Sequence, residues 1–244
     1  MKKQVPNIIT LLNLLSGIVA IYSILSLKNL QLGALFIIIG AVFDFFDGMT
    51  ARLLCVSSPI GKELDSLSDV ITFGVAPSFI AMSLLQNEFG TNFITFVPLF
   101  MAMMSSFRLA KFNLDARQTT SFIGLPTPAN ALIWLSIPLV GFLSENGVSV
   151  WFISGDNGRF FACLYSILSS SYFILPICLI CSWLLVSEIP MFSLKFHDLK
   201  WQNNRLRFTF LLISLVFLLL LYFAAVPFII IMYIILSIID NKKS

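Results

Sequence analysis

The sequence predicts an all-α fold, a polytopic bundle of transmembrane helices. Three observations carry that prediction. Apolar residues make up 58% of the 244 residues and charged residues only 11%, where a soluble domain carries roughly 25% charged. So few charges cannot cover a water-facing surface, which excludes a soluble enzyme, a disordered tail and a nucleic-acid binder. Mean hydropathy is +0.95. The apolar runs are long and free of charge, as from Phe208 to Ala225, unlike the alternating segments of about ten residues in a transmembrane barrel.

A spanning helix needs about 20 mostly apolar residues. Eight segments meet that description: 7–27, 29–51, 64–85, 93–111, 128–144, 165–187, 206–223 and 226–240. Met1, Lys2 and Lys3 lead into the first of them without a convincing cleavage site, so it is read as a span rather than a signal peptide. Pro6, Pro126 and Pro128 sit where helices begin, which suits proline in a first turn. Pro77, Pro98, Pro138 and Pro176 fall within spans and predict kinks, while Pro227 marks the break between the last two. The polar stretch 145–164 reads as a loop and 195–207 as a basic connector, with His197 an interfacial residue. No repeat or linker divides the chain, so residues 1–244 are expected to form one integral-membrane domain. Cys178 and Cys181 lie in an apolar run and read as a reduced packing pair.

The charges orient the bundle. Net charge is +3, from 15 Lys and Arg against 12 Asp and Glu. Eight spans place thirteen cations on the side of the termini: Lys2, Lys3, Arg52, Lys62, Arg108, Lys111, Arg117, Lys195, Lys200, Arg205, Arg207, Lys242 and Lys243. Only Lys28 and Arg159 lie on the other; a six-span count, which merges the last two segments and loses one elsewhere, keeps the early orientation. The positive side faces the cytoplasm, so the termini and the 52–62 turn are expected there.

Four carboxylates stand where charge is costly. Asp44, Asp47, Asp65 and Asp69 lie near the ends of two consecutive spans, although a charge in hydrocarbon costs several kcal/mol. Asp44 and Asp47 are three residues apart and Asp65 and Asp69 four apart, so each pair shares a helix face. A tight turn around Ser57, Ser58 and Pro59 makes the helices antiparallel neighbours, and the pairs converge. Four carboxylates together repel and call for cations unless several are protonated. Oxygen-only ligands suit Mg²⁺ or Mn²⁺. Gly48 and Ala51 open a groove one turn from Asp44 and Asp47, Arg52 can pair with a phosphate, and Gly61 allows close backbone approach at a helix start. Together these residues describe a metal–pyrophosphate site. The acids alone also fit an ion path in a transporter, a reading that has no need of Arg52 and Gly61 at fixed offsets.

The string Asp44-x-x-Asp47-Gly48-x-x-Ala51-Arg52-x8-Gly61-x-x-x-Asp65-x-x-x-Asp69 resembles the complete signature of the CDP-alcohol phosphatidyltransferase family. The text around Pro6–Asn13, Gly61–Pro77, Arg108–Asn113 and Gly124–Asn130 is similar to its bacterial and archaeal phosphatidylserine synthase branch, with Lys111 standing where an arginine is expected. The resemblance implies a transferase of phospholipid biosynthesis that makes phosphatidylserine and CMP from CDP-diacylglycerol and L-serine, in membrane lipid and as a homodimer. It implies that Asp44, Asp47, Asp65 and Asp69 ligate Mg²⁺ or Mn²⁺ and that Asp69 is also the base. Asp44, Gly48, Ala51, Arg52 and Gly61, with Asn7, Thr10 and Asn13, are expected to hold CDP-diacylglycerol. Arg108, Lys111, Asn113 and Thr127 are the candidates for serine. Related enzymes acting on glycerol phosphate or inositol phosphate remain the alternative.

Overall fold

The computed structural model of the chain describes residues 4–56, 58–114, 122–150, 158–192 and 204–241. Arg117, Lys195, His197 and Lys200, assigned roles or sides above, lie outside them, as do the terminal lysines. Among the described residues, six helical stretches are long and apolar enough to cross a membrane, and a bent helix pair is a seventh when taken as one span. The protein is an integral-membrane helical bundle, with fewer spans than the eight apolar segments of the sequence.

Helix α1 (Gln4–Leu25) turns into α2 (Leu30–Leu53) through Lys28, whose φ is 53°, and Asn29, whose side chain caps the new helix by accepting from Leu32 N at 2.8 Å. Helix α3 (Pro59–Asp69) starts earlier than the expected 64. Ser58 caps it and Pro59 fills the first turn, so the helix signal precedes the apolar run. A π-helical segment, Val70–Val75, follows directly and leads into α4 (Ala76–Phe89). Pro77 has no N–H to donate back into the turn before it, and that preceding turn is where the π segment lies. The π turn absorbs the mismatch, and 59–89 continues as one span.

A short 3₁₀ turn, Phe93–Phe96, precedes α5 (Leu99–Leu114), with Pro98 between them. Helix α6 (Thr127–Glu145) contains Pro138 and still runs through. The expected span 165–187 is instead a bent pair, α7 (Arg159–Leu168) and α8 (Ser171–Val186), meeting at 59°. The expected loop 145–164 is thus helical from Arg159 onward. Glu88 explains the bend: its carboxylate accepts from Ser171 N and Ser171 Oγ, both at 2.8 Å, and so starts α8 afresh. The last two expected spans form one candidate span, Arg205–Ile239, made of α9 (Arg205–Leu221), a 3₁₀ turn at Tyr222–Ala225 and α10 (Val226–Asn241).

Burial ranks the spans. The windows of 59–89 and 127–145 are 67% and 72% buried, whereas those of the other single spans lie between 22% and 39%. Helices α4 and α6, with the inner end of α3, are therefore the axis of the bundle, and the apolar outer faces of the rest meet lipid. Small residues bring the axis close to α1 and α2. A Cβ at Gly17 would overlap Thr72 Oγ1, and one at Gly40 would come within 2.5 Å of Thr72 Cγ2. The loop before α6 is tied to the end of α8: Leu125 N donates to Leu184 O and Gly124 N to Ile189 O, each at 2.9 Å. Gly124 has φ of 75°, and a Cβ there would lie 2.8 Å from Leu185 O. Strands β1 (Phe122–Ile123) and β2 (Pro190–Met191) pair antiparallel beside it. These ties fix where Thr127 enters the bundle.

Candidate active site

The antiparallel arrangement of α2 and α3 brings Asp44, Asp47 and Asp65 together. One carboxylate oxygen from each lies within 4.8 Å of the others. An ion that binds oxygen at about 2.0–2.6 Å has ligand atoms at most about 4–5 Å apart, so the spacing fits a hard divalent cation. The donor set is all carboxylate, and Cys and His are absent from the cluster. Asp69 stands one turn deeper on α3 and is not part of that three-residue group. It is only 9% exposed, accepts from Asn13 Nδ2 at 3.3 Å and is in electrostatic contact with the three other acids.

Helix α1 supports the acids from the third side. Thr10 Oγ1 donates to Asp47 Oδ2 at 2.7 Å. Ser68 Oγ reaches Thr10 O at 3.2 Å and Thr72 Oγ1 reaches Asn13 O at 3.1 Å, which locks α1 to α3 through buried hydroxyls. Ser68 and Thr72 extend the four-residue spacing set by the acids, a signal the search for charged groups passed over.

A cavity of about 210 Å³ opens beside the acids, and Asn7, Thr10, Asp47, Gly48, Ala51, Gly61 and Asp65 are among its lining residues. The two motif glycines serve different ends. A Cβ at Gly48 would meet nothing within 4 Å, so this glycine leaves the groove open. A Cβ at Gly61 would stand 2.9 Å from Asn7 Oδ1 and 3.0 Å from Ser58 Oγ, so this glycine lets α1 approach α3. The Gly61 amide is not available to an anion: it donates to Ser58 Oγ at 2.9 Å. Arg52 is exposed and is not among the described lining residues. Lys62, weighed in the sequence only as a positive-side anchor, does line the cavity, with Ser58, Val56 and Pro6.

The serine candidates separate. Arg108 is 7% exposed, lies 3.5 Å from Thr127 Oγ1 through Nη1, and is in electrostatic contact with Asp69. Among the described residues, its Nε and the Nδ2 of fully buried Asn130 have no hydrogen-bond partner. A buried donor without a partner costs about 1–3 kcal/mol, so these two groups suit an anionic ligand atom. Lys111 instead forms an ion pair with Glu188 at 3.2 Å, and Asn113 Nδ2 donates to Ser66 Oγ at 2.9 Å.

Known proteins share this framework. The family described as CDP-alcohol phosphatidyltransferase matches residues 3–155. The CDP-diacylglycerol–serine O-phosphatidyltransferase of Bacillus subtilis (strain 168) is 41% identical over 128 residues, covering 51% of this chain and 69% of that protein. The protein of that description from Methanocaldococcus jannaschii is 37% identical over 138 residues, 57% of this chain and 59% of its own length. The archaetidylserine synthase of Methanothermobacter thermautotrophicus is 34% identical over 143 residues, 57% and 60% respectively. The chain thus spans less than two thirds of the latter two relatives. Matched across all four motif acids and the helices that carry them, the chain belongs to the CDP-alcohol phosphatidyltransferase family.

Proposed function

We propose that the chain is a CDP-diacylglycerol–serine O-phosphatidyltransferase, working at the cytoplasmic face of a bacterial inner membrane. The convergence of Asp44, Asp47 and Asp65 beside the open groove at Gly48 carries the reading, and the names of the relatives favour serine as acceptor. Asp44, Asp47 and Asp65, with Asp69 behind them, would hold Mg²⁺ or Mn²⁺. Such an ion draws charge from the phosphoryl centre. Asn7, Thr10, Gly48, Ala51 and Gly61 receive the cytidine diphosphate end of the lipid, while the acyl chains remain among membrane lipid. Arg108 takes the serine carboxylate next to Asp69. Asp69 accepts the proton of the serine hydroxyl as its oxygen attacks the phosphorus, and the bond to CMP breaks. Residues 1–244 act as one catalytic domain, and two copies form a homodimer.

The Lys111–Glu188 ion pair favours a zwitterionic acceptor over a phosphorylated one. Paired with a carboxylate, Lys111 adds little net positive charge for a phosphate. The test is purified protein with CDP-diacylglycerol and Mg²⁺ or Mn²⁺, offered a panel of alcohols while CMP is measured. CMP release that depends on serine is expected. Faster release with glycerol phosphate or inositol phosphate would move the chain to another branch, and no release with any alcohol would refute the enzyme.

A further inference from the structure

The cavity beside the acids carries an imbalance of charge. Its described lining includes two carboxylates, Asp47 and Asp65, and a single cationic side chain, Lys62. A diphosphate entering there brings further negative charge. A divalent ion at the acid cluster offsets part of it. The remaining candidates on the protein are few. The Gly61 amide is taken by Ser58 Oγ at 2.9 Å and the Lys62 amide is 3.2 Å from Ser58 O, so the start of α3 has spent these donors on its own cap. Arg52 is outside the described lining.

Resting on the nucleotide-lipid reading above, we propose that Lys62 binds the diphosphate of the cytidine ligand. Its position supports this in two ways. The Lys62 side chain is exposed, and among the described residues it makes no ion pair, although Asp65 lies one turn away on the same helix. Its Nζ donates to Asn113 O at 3.1 Å. An ammonium has three donors, so that bond leaves two for phosphate oxygens. The bond to the carbonyl restrains the flexible four-carbon stem of a residue that lines the cavity, and so reduces the ordering cost of binding. The same bond ties the nucleotide side to the last turn of α5, the helix that also carries Arg108, five residues before Asn113.

The test compares binding of CDP and of cytidine to the purified full chain by calorimetry, with Mg²⁺ present, so that no turnover is needed. The unaltered chain should bind CDP more tightly than cytidine. Lys62→Gln should lose roughly ten- to hundredfold in CDP affinity, as expected for a charged hydrogen bond, with cytidine affinity unchanged. Lys62→Arg, which keeps the charge, should retain most of the CDP affinity. Lys62→Met is the second neutral variant should the glutamine form fail to fold. A neutral variant that binds CDP like the unaltered chain, or that loses CDP and cytidine in equal proportion, overturns the role of Lys62 alone. An unaltered chain that does not distinguish CDP from cytidine overturns the nucleotide reading of the cavity together with it.

Discussion

On one side of Asp69 the chain gathers Asp44, Asp47 and Asp65 around a groove that a glycine keeps open. On the other it buries Arg108, Thr127 and Asn130 between α5 and α6, with donors that meet no acceptor among the described residues. The three acids stand within 22 positions of one another on two helices joined by a short turn, and α1 braces them through Thr10. The basic side is assembled from α5 and α6, and the loop before α6 is positioned by the end of α8, some 60 residues further on. The acid side is accessible and organised for an anion with its cation. The basic side is closed and organised for a small group that replaces its absent partners. The difference teaches that the two halves of the proposed site have different origins of order: helix periodicity sets the acids, while long-range packing sets the buried donors.

The comparison can be broken most severely at the acids. Asp47→Asn and Asp65→Asn should each abolish measurable CMP release while the protein still inserts and folds, as read by size-exclusion profile beside turnover. Near-normal turnover at low metal in either variant would remove the metal site from this cluster.

Asp69, where the two sides meet, should give the next largest effect. Asp69→Asn keeps an acceptor for Asn13 but removes charge and basicity. Phosphatidylserine formation should fall at least about a hundredfold at saturating serine and metal, with CDP-diacylglycerol binding retained. If binding and turnover fall together, Asp69 belongs to the acid side only.

The basic side is tested by Arg108→Gln. Serine KM should rise roughly tenfold or more, the scale of a lost charged hydrogen bond, while CDP-diacylglycerol KM changes little. The reverse pattern would place Arg108 with the nucleotide and erase the division between the two sides.

The same substitution at two glycines separates opening from packing within the acid side. Gly61→Ala should lower the thermal midpoint, because the added methyl meets Asn7 Oδ1 and Ser58 Oγ, and overpacking costs about 1–3 kcal/mol. Gly48→Ala should leave the midpoint unchanged or slightly raised, since alanine favours a helix by about 1 kcal/mol, yet raise CDP-diacylglycerol KM. Equal melting behaviour of the two variants would contradict the assigned roles.

The smallest effect belongs to the surface ion pair. Lys111→Ala should change stability by less than about 1 kcal/mol, as exposed pairs do, and should leave serine KM within a few-fold. A serine KM change as large as that of Arg108→Gln would return Lys111 to the acceptor site.

The amino-acid sequence by itself determined the membrane environment, the helical class and the four acids with their groove. Spacings of three and four residues are local, and a helix converts them directly into shared faces. Apolar runs likewise report burial in lipid, though not where a helix breaks: Glu88 bends the 159–186 pair from 83 residues away, and no local pattern contains that contact. Only the tertiary structure decided which glycine opens space and which fills a close approach, that the Gly61 amide is spent on its own cap, that Arg52 lies outside the described cavity lining while Lys62 borders it, and that Lys111 is paired with Glu188. Each of these depends on what stands opposite a residue in space. In a bundle of packed spans that partner comes from a different helix, and its distance along the chain carries no periodic signal.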